Sequence, residues 1–211
     1  MDKGCLIVFE GIDACGKGTM LSMTLDYLFN NFKEFDKLFV TREPTYSHTG
    51  RQIRKMLKED SKPMDNAKKL LELYLDDRKE HLENVIRPVM ARKSIILCDR
   101  YKHSTLAYQQ TQGIPLQQLI AAHKRMLVPD LTLILDLPAN IALDRISQNR
   151  GNFDKFEKKS FLEELRQNYL ELPKFLEGEN IKIIDASDSK EKVFERIKEA
   201  VLKVLPLTSS Q

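Results

Sequence analysis

The chain has 211 residues, enough for one sizeable domain with a real core. Its composition is that of an ordinary globular protein, 42% hydrophobic and 31% charged, and 34 basic against 31 acidic side chains leave a formal net charge of only +3. That balance argues against a nucleic-acid or membrane binder, although local basic clusters can still handle phosphates.

The three cysteines, Cys5, Cys15 and Cys98, form no C-x-x-C pair, and the first apolar run is too short for a signal sequence. Reduced thiols and a cytoplasmic location are expected. Short runs rich in Ile, Leu and Val recur at CLIVF (5–9), KLFVT (37–41), SIILCD (94–99), LTLILD (131–136) and IKIID (181–185). They do not alternate with polar residues, which is the pattern of strands buried on both faces of a parallel sheet. Helix-length segments lie near 17–32, 49–59, 65–91, 102–126, 139–149, 158–176 and 189–204. The alternation predicts an α/β fold, a doubly wound parallel sheet of about five strands flanked by helices. One domain over 1–206 is expected, with a disordered tail at 207–211. Ligands in such sheets bind beyond the carboxyl ends of the strands, so the residues just after each run are the site candidates.

The first run leads into LIVFEGIDACGKGT (6–19), where Gly11, Gly16 and Lys17 fit the P-loop spacing G-x-x-x-x-G-K. Gly11, Ile12, Asp13, Ala14, Cys15, Gly16, Lys17, Gly18 and Thr19 are therefore candidates to cradle the phosphates of ATP. Loop N–H groups and a helix N-terminus supply positive potential, and Lys17 adds a mobile full charge. Gly18 stands where switch GTPases and motor ATPases have a magnesium-ligating hydroxyl, and no N-K-x-D motif occurs, so those classes are disfavoured. The order Gly-Lys-Gly-Thr resembles adenylate-kinase-type loops, in which magnesium is held largely through water, and Thr19 is expected to share that duty. Cys15 reads as a small space-filling residue rather than a redox switch.

In KLFVTREPT (37–45) a strand ends and Arg42, Glu43 and Pro44 reach the crevice edge; Arg54 follows on the next helix. The helix at 67–91 carries an apolar stripe through Leu71, Tyr74, Leu75 and Leu82, and Arg78 falls on that stripe. Either Arg78 snorkels out or pairs with a structural carboxylate, or it is a buried guanidinium aimed at a polar ligand with Tyr74 one turn away. SIILCDRY (94–101) ends in Asp99-Arg100, the place for a magnesium-positioning carboxylate. Asp136 ends a strand on the same logic but is followed by Leu-Pro and a helix, so it reads as a structural acid. Arg42, Arg54, Arg78 and Arg100 form a set suited to an acceptor phosphate, because guanidinium forks match phosphate oxygens. After Asp99, Ser104 and Tyr108, and likewise Thr105 and Gln109, are spaced i, i+4 on a helix, so two polar stripes face one pocket or else simply face solvent. The segment at 142–161 is the most charged between two elements; it reads as a surface loop or as a lid over about 145–158 that brings Arg145, Arg150 and Lys155 to a transferring phosphoryl.

Together FEGIDACGKGT (9–19), TREP (41–44), LELYLDDRKEHLENVIRPVM (71–90), DRYKHSTLAYQ (99–109), VPDLTLILDLP (128–138) and RGNFDKFE (150–157) resemble the thymidylate kinase family over nearly the whole chain. The resemblance implies phosphorylation of dTMP to dTDP by ATP with Mg²⁺, and a homodimer. It implies that Lys17 and the loop amides hold ATP, that Asp13 reaches the nucleotide sugar, and that Arg42, Arg54 and Arg100 surround the 5′-phosphate. It further implies that Arg78, Ser104 and Gln109 read the base, that Tyr74 stacks on it, and that Tyr108 crowds the sugar 2′ position. Arg150 would steady the transferring phosphoryl, and the loop near Ala186–Asp188 would border adenine. Tyr74 stands where the family usually has phenylalanine, and Ala14 where one subgroup has a catalytic arginine. Lys155 replaces a common lid arginine, and TYSHTG (45–50) a more glycine-rich loop. A deoxynucleoside kinase is the nearest rival, though a neutral acceptor needs fewer cations than this chain offers. A nucleotide-binding regulator without transfer activity is the second.

Overall fold

The computed structural model describes residues 4–32, 37–59, 66–150 and 155–205, and the side chains of all of these except 148–150 and 155–158. The tail expected at 207–211 lies outside them. Strand β1 (Cys5–Glu10) is the centre of a five-stranded sheet with β2 (Leu38–Arg42), β3 (Ile95–Asp99), β4 (Leu131–Asp136) and β5 (Ile181–Asp185), in the order β2-β3-β1-β4-β5. Every pairing is parallel, and the register sets Phe9 and Arg42 opposite Asp99, and Asp136 opposite Asp185. The carboxyl ends of all these strands therefore open on one edge of the sheet, where ligands bind in folds of this kind.

Successive residues of a strand face opposite sides. Cys5, Ile7 and Phe9 join Ile95 and Leu97 in the larger core, which α1 (Lys17–Asn31) covers with Met20, Leu21 and Leu28, and α9 (Lys190–Leu202) with Val193, Ile197 and Val201. Leu6 and Val8 meet Ile96, Cys98 and Tyr101 on the other side, under Leu82 and Ile86. The helix expected at 65–91 runs as α3 (Ala67–His81), a wide π turn (Leu82–Ile86) and α4 (Arg87–Ala91). Pro88 has no N–H to continue a regular ladder, and the wide turn precedes it. Between β2 and α3 lies α2 (His48–Glu59).

Two expectations are corrected. The segment 102–126 is not one helix but α5 (Lys102–Thr111) and α6 (Leu116–His123). Gly113 at φ +88 turns the chain out of the helix, and Pro115 precedes α6. Nor are all five strands buried on both faces: Phe39, Val40 and Ile183, on the edge strands β2 and β5, are 36%, 43% and 45% exposed. An edge strand has one neighbour, and its apolar run looks the same in sequence as a central one. The remaining helices are α7 (Ala139–Arg150) and α8 (Lys155–Phe175). Among the described residues no helix is long and apolar enough to cross a membrane.

Candidate active site

Strand β1 turns into α1 through the loop the spacing predicts. Gly11 sits at φ +132, and a Cβ there would meet the Leu135 carbonyl oxygen at 2.6 Å; Gly16 caps α1 at φ +99. Both positions demand glycine. The buried Lys17 ammonium donates to the carbonyl oxygens of Gly11 (3.1 Å) and Ile12 (2.9 Å) and lies 3.7 Å from Cys15 Sγ. Burial, and then the charge of Arg100, lower its pKa. Cys15 is buried in the loop, in keeping with its space-filling reading, and Gly18 and Thr19 are exposed in the first turn of α1. Arg145 reaches the loop from α7, donating to the Ala14 carbonyl at 3.1 Å. Ala186, buried just after β5, donates its N–H to the Asp136 carbonyl at 2.8 Å. Asp136 itself takes both nitrogens of the Arg166 fork at 2.5 and 2.9 Å, the structural role expected for it.

Arg100 stands between this loop and the neighbouring crevice. Its backbone is held at φ +71, an unfavourable region for a residue that carries a Cβ, and its N–H bonds the Phe9 carbonyl. That turn sends the guanidinium back toward the P-loop. Nη2 donates to Asp13 Oδ1 at 2.6 Å, and Nη1 shares its two hydrogens among the Gly11 carbonyl at 3.1 Å, Ser104 Oγ at 3.0 Å and the Tyr169 hydroxyl at 3.2 Å. The Tyr108 ring lies under it at 5.3 Å. Asp13 lies below its ordinary pKa: burial raises it, but the charges of Arg100 and Lys17 more than reverse that.

Beside Arg100 opens a cavity of about 420 Å³. Asp13, Glu43, Pro44 and Tyr74 are in its wall, and so are Arg78, Arg100, Ser104, Tyr108 and Gln109. These residues come from four separate stretches of chain, and the fold brings them together. The two readings of Arg78 both hold: it lines the cavity and it is paired. Nε donates to Glu43 Oε2 at 2.7 Å, Nη1 to His123 Nε2 at 2.7 Å, and Nη2 to Thr105 Oγ1 at 3.0 Å. Because His123 Nδ1 donates to the Leu119 carbonyl at 2.7 Å, Nε2 is the acceptor and the ring is neutral. Burial, with the Arg78 charge, lowers the His123 pKa to about 3. Gln109 donates to Gln112 Oε1 at 3.1 Å, and its own buried Oε1 has no hydrogen-bond partner among the described residues.

Arg42 and Arg54 do not wall this cavity. Arg42 is half exposed and donates to Asp99 Oδ2 at 2.7 Å. Both Arg42 and Asp99 line a larger groove of about 680 Å³ that runs along β2 past Gly18, Phe39 and Val40. Arg54 donates to the Pro44 carbonyl and lies 4.8 Å over the Tyr46 ring, and its buried Nε has no hydrogen-bond partner among the described residues. Most of the candidates around an acceptor thus converge on the smaller cavity, whereas Gly18, Arg42 and Asp99 face the groove. Asp99 keeps one buried oxygen, Oδ1, without a hydrogen-bond partner among the described residues. Arg150 and Lys155 lie outside the residues whose side chains are described, and residues 151–154 lie outside the described residues altogether.

Several residues escaped the sequence reading. Asp77 accepts from Thr45 N (2.8 Å), Thr45 Oγ1 (2.5 Å) and Ser47 Oγ (2.8 Å), pinning the unusual loop after Pro44. His81 donates from Nδ1 to Glu43 Oε1 at 3.0 Å. Glu10, wholly buried at the end of β1, accepts from the N–H groups of Tyr101 (2.7 Å) and Ser104 (3.1 Å) and from the hydroxyls of Ser104 (2.6 Å) and Tyr169 (3.1 Å). The strand-end argument that selected Asp99 applies equally to Glu10. No sequence signal pointed to Tyr169, whose hydroxyl burial pushes well above the ordinary phenol range.

Comparison with known proteins matches residues 9–197 to the family described as Thymidylate kinase. A thymidylate kinase from Brachyspira hyodysenteriae is 39% identical, covering 99% of this chain and all of that protein. A probable thymidylate kinase from Pyrococcus horikoshii is 35% identical over 90% of this chain and 92% of its own length. One from Prochlorococcus marinus is 35% identical over 96% and 98%.

Proposed function

The chain belongs to the thymidylate kinase family, and on that premise we propose that its P-loop holds the ATP phosphates while the adjoining 420 Å³ cavity holds dTMP, which is phosphorylated to dTDP. The observation that carries this division is the 2.6 Å ion pair between Asp13, in the P-loop, and Arg100, in the cavity wall. It joins the two halves of the site, so that donor and acceptor lie end to end. Phosphoryl transfer asks mainly for in-line positioning and charge neutralisation, and this crevice offers both.

Within it, Lys17 leaves its carbonyl partners for the ATP phosphates, together with the loop amides from Gly11 to Thr19. Arg100 meets the acceptor 5′-phosphate, and Asp13 orients the sugar and the arginine at once. Arg78, locked by Glu43, His123 and Thr105, presents its remaining N–H groups to the base carbonyl edge. The unpartnered Gln109 oxygen takes a base N–H, Tyr74 supplies a stacking face, and Tyr108 bounds the sugar. Arg145 and Arg150 act from a lid near 145–158 that shuts out water. Ala186 borders adenine.

Asp99 and Thr19 suit Mg²⁺, which binds through one or two carboxylates with water and phosphate completing the shell. Asp99 Oδ1, buried and without a hydrogen-bond partner among the described residues, is the feature that supports this reading. Bound there, the ion would neutralise phosphate charge. We also propose a cytoplasmic homodimer; sedimentation velocity reads the mass.

The test is a coupled ADP-release assay with ATP against dTMP, dUMP, dCMP, dAMP and thymidine. dTMP is expected to turn over fastest and thymidine not at all. Turnover of thymidine in preference to dTMP would point to a nucleoside kinase, and ATP binding without ADP release from any acceptor to a regulator.

A further inference from the structure

We propose that Glu10 is a positioning residue for phosphoryl transfer, acting through Ser104 and Tyr169 to hold Arg100 in the acceptor site. This rests on the reading of Arg100 as a ligand of the acceptor phosphate. Glu10 is completely buried, and no cation lies within hydrogen-bonding distance of it among the described residues; the nearest basic group, His103 Nδ1, is 3.9 Å away. A lone carboxylate in a core is costly unless its lone pairs are filled. Two backbone N–H groups at the start of α5 fill Oε1, at the positive end of the helix. Two hydroxyls fill Oε2.

Those hydroxyls carry the argument. A hydroxyl has one hydrogen and two lone pairs. Ser104 commits its hydrogen to Glu10 at 2.6 Å. Tyr169 then has Glu10 Oε2 at 3.1 Å or the Ser104 oxygen at 2.9 Å as its acceptor. In either case both oxygens turn lone pairs toward Arg100 Nη1, at 3.0 and 3.2 Å, and share its two hydrogens with the Gly11 carbonyl at 3.1 Å. The carboxylate thus fixes the polarity of the relay. It makes acceptors of two groups that would otherwise be free to donate, and so aims a guanidinium whose backbone is already in an unfavourable region. An amide at position 10 reverses this, because its NH₂ donates to the hydroxyls and competes with Arg100.

The experiment compares Glu10→Gln, Arg100→Met and the double variant, reading kcat, KM for dTMP, KM for ATP and the thermal midpoint of each. Glu10→Gln is expected to lower kcat/KM for dTMP by roughly tenfold, the size of one lost charged hydrogen bond, and to leave KM for ATP within about twofold. In the Arg100→Met background the same change is expected to cost nothing further. A purely structural Glu10 would lower the midpoint and leave the kinetics of the folded enzyme unchanged; that result, or additive losses in the double variant, overturns the proposal. If Glu10→Gln does not accumulate as folded protein, Tyr169→Phe decides, with an expected loss of about threefold that vanishes alongside Arg100→Met; an unchanged Tyr169→Phe overturns it. Wild-type enzyme inactive on dTMP would refute the reading beneath the inference, whereas an active wild type with an unaffected Glu10→Gln refutes the inference alone.

Discussion

Replacing Arg78 with methionine is expected to destabilise the protein as well as weaken dTMP binding, because the arginine serves both. The Arg78 and Glu43 side chains are 1% and 3% exposed and meet at 2.7 Å. Methionine fills much of the volume but leaves the buried Glu43 carboxylate without the guanidinium, with His81 Nδ1 3.0 Å away as its remaining side-chain partner among the described residues. Breaking a buried pair from one side costs about 3–5 kcal/mol, since the stranded charge loses its partner without regaining water. In a domain of this size each kcal/mol moves the melting temperature by about 2–4 °C, so a drop of about 6–20 °C is expected. Thermal unfolding followed by circular dichroism reads it. Adding Glu43→Gln removes the stranded charge, so the double variant is expected to melt above Arg78→Met alone. Arg78→Met melting within about 2 °C of wild type, or a double variant less stable than the single, would refute the reasoning. Kinetics on the folded fraction are expected to show KM for dTMP raised about tenfold or more, with weaker discrimination among bases.

Lys17→Ala is expected to abolish ADP release, because the loop loses its mobile charge; the coupled assay reads this directly. Arg150→Ala is expected to lower kcat by about 10³-fold if that guanidinium stabilises the transition state as arginine fingers do, as single-turnover kinetics would show. Glu179 gives a pH-dependent test. Burial raises its pKa, but hydrogen bonds from His103 (3.1 Å) and Lys102 (2.5 Å) more than reverse this, so the folded value lies below the ordinary 4.5. Its contribution to stability is therefore complete above pH 4.5 and lost as pH falls through the lower folded value. Glu179→Gln is expected to be less stable near neutral pH and to lose less stability on acidification, as urea unfolding across that range would show.

Much of this was legible in the chain. Each strand falls within a residue of its apolar run, since burial on a parallel sheet leaves a compact, β-branched signature. The P-loop was legible because glycine, lysine and spacing are all local requirements. Arg78 was half legible: its place on an apolar stripe marked it as unusual, but the partners Glu43, Thr105 and His123 lie 35, 27 and 45 residues away. The break at Gly113 and Pro115 was visible in sequence and was outweighed by the helical pattern on both sides. The exposed faces of β2 and β5 were not visible, because the apolar pattern of a strand does not say how many neighbours it has.

The sequence by itself determined the elements, their parallel alternation, the phosphate loop and the family, because all of these depend on residues close in the chain. Only the tertiary structure decided which charges meet. It set Glu10 against Tyr169, 159 residues on, placed Arg100 on Asp13 across 87, and drew Arg42 away to Asp99. Pairing energies in a buried site depend on distance and on exclusion of water, and sequence separation encodes neither.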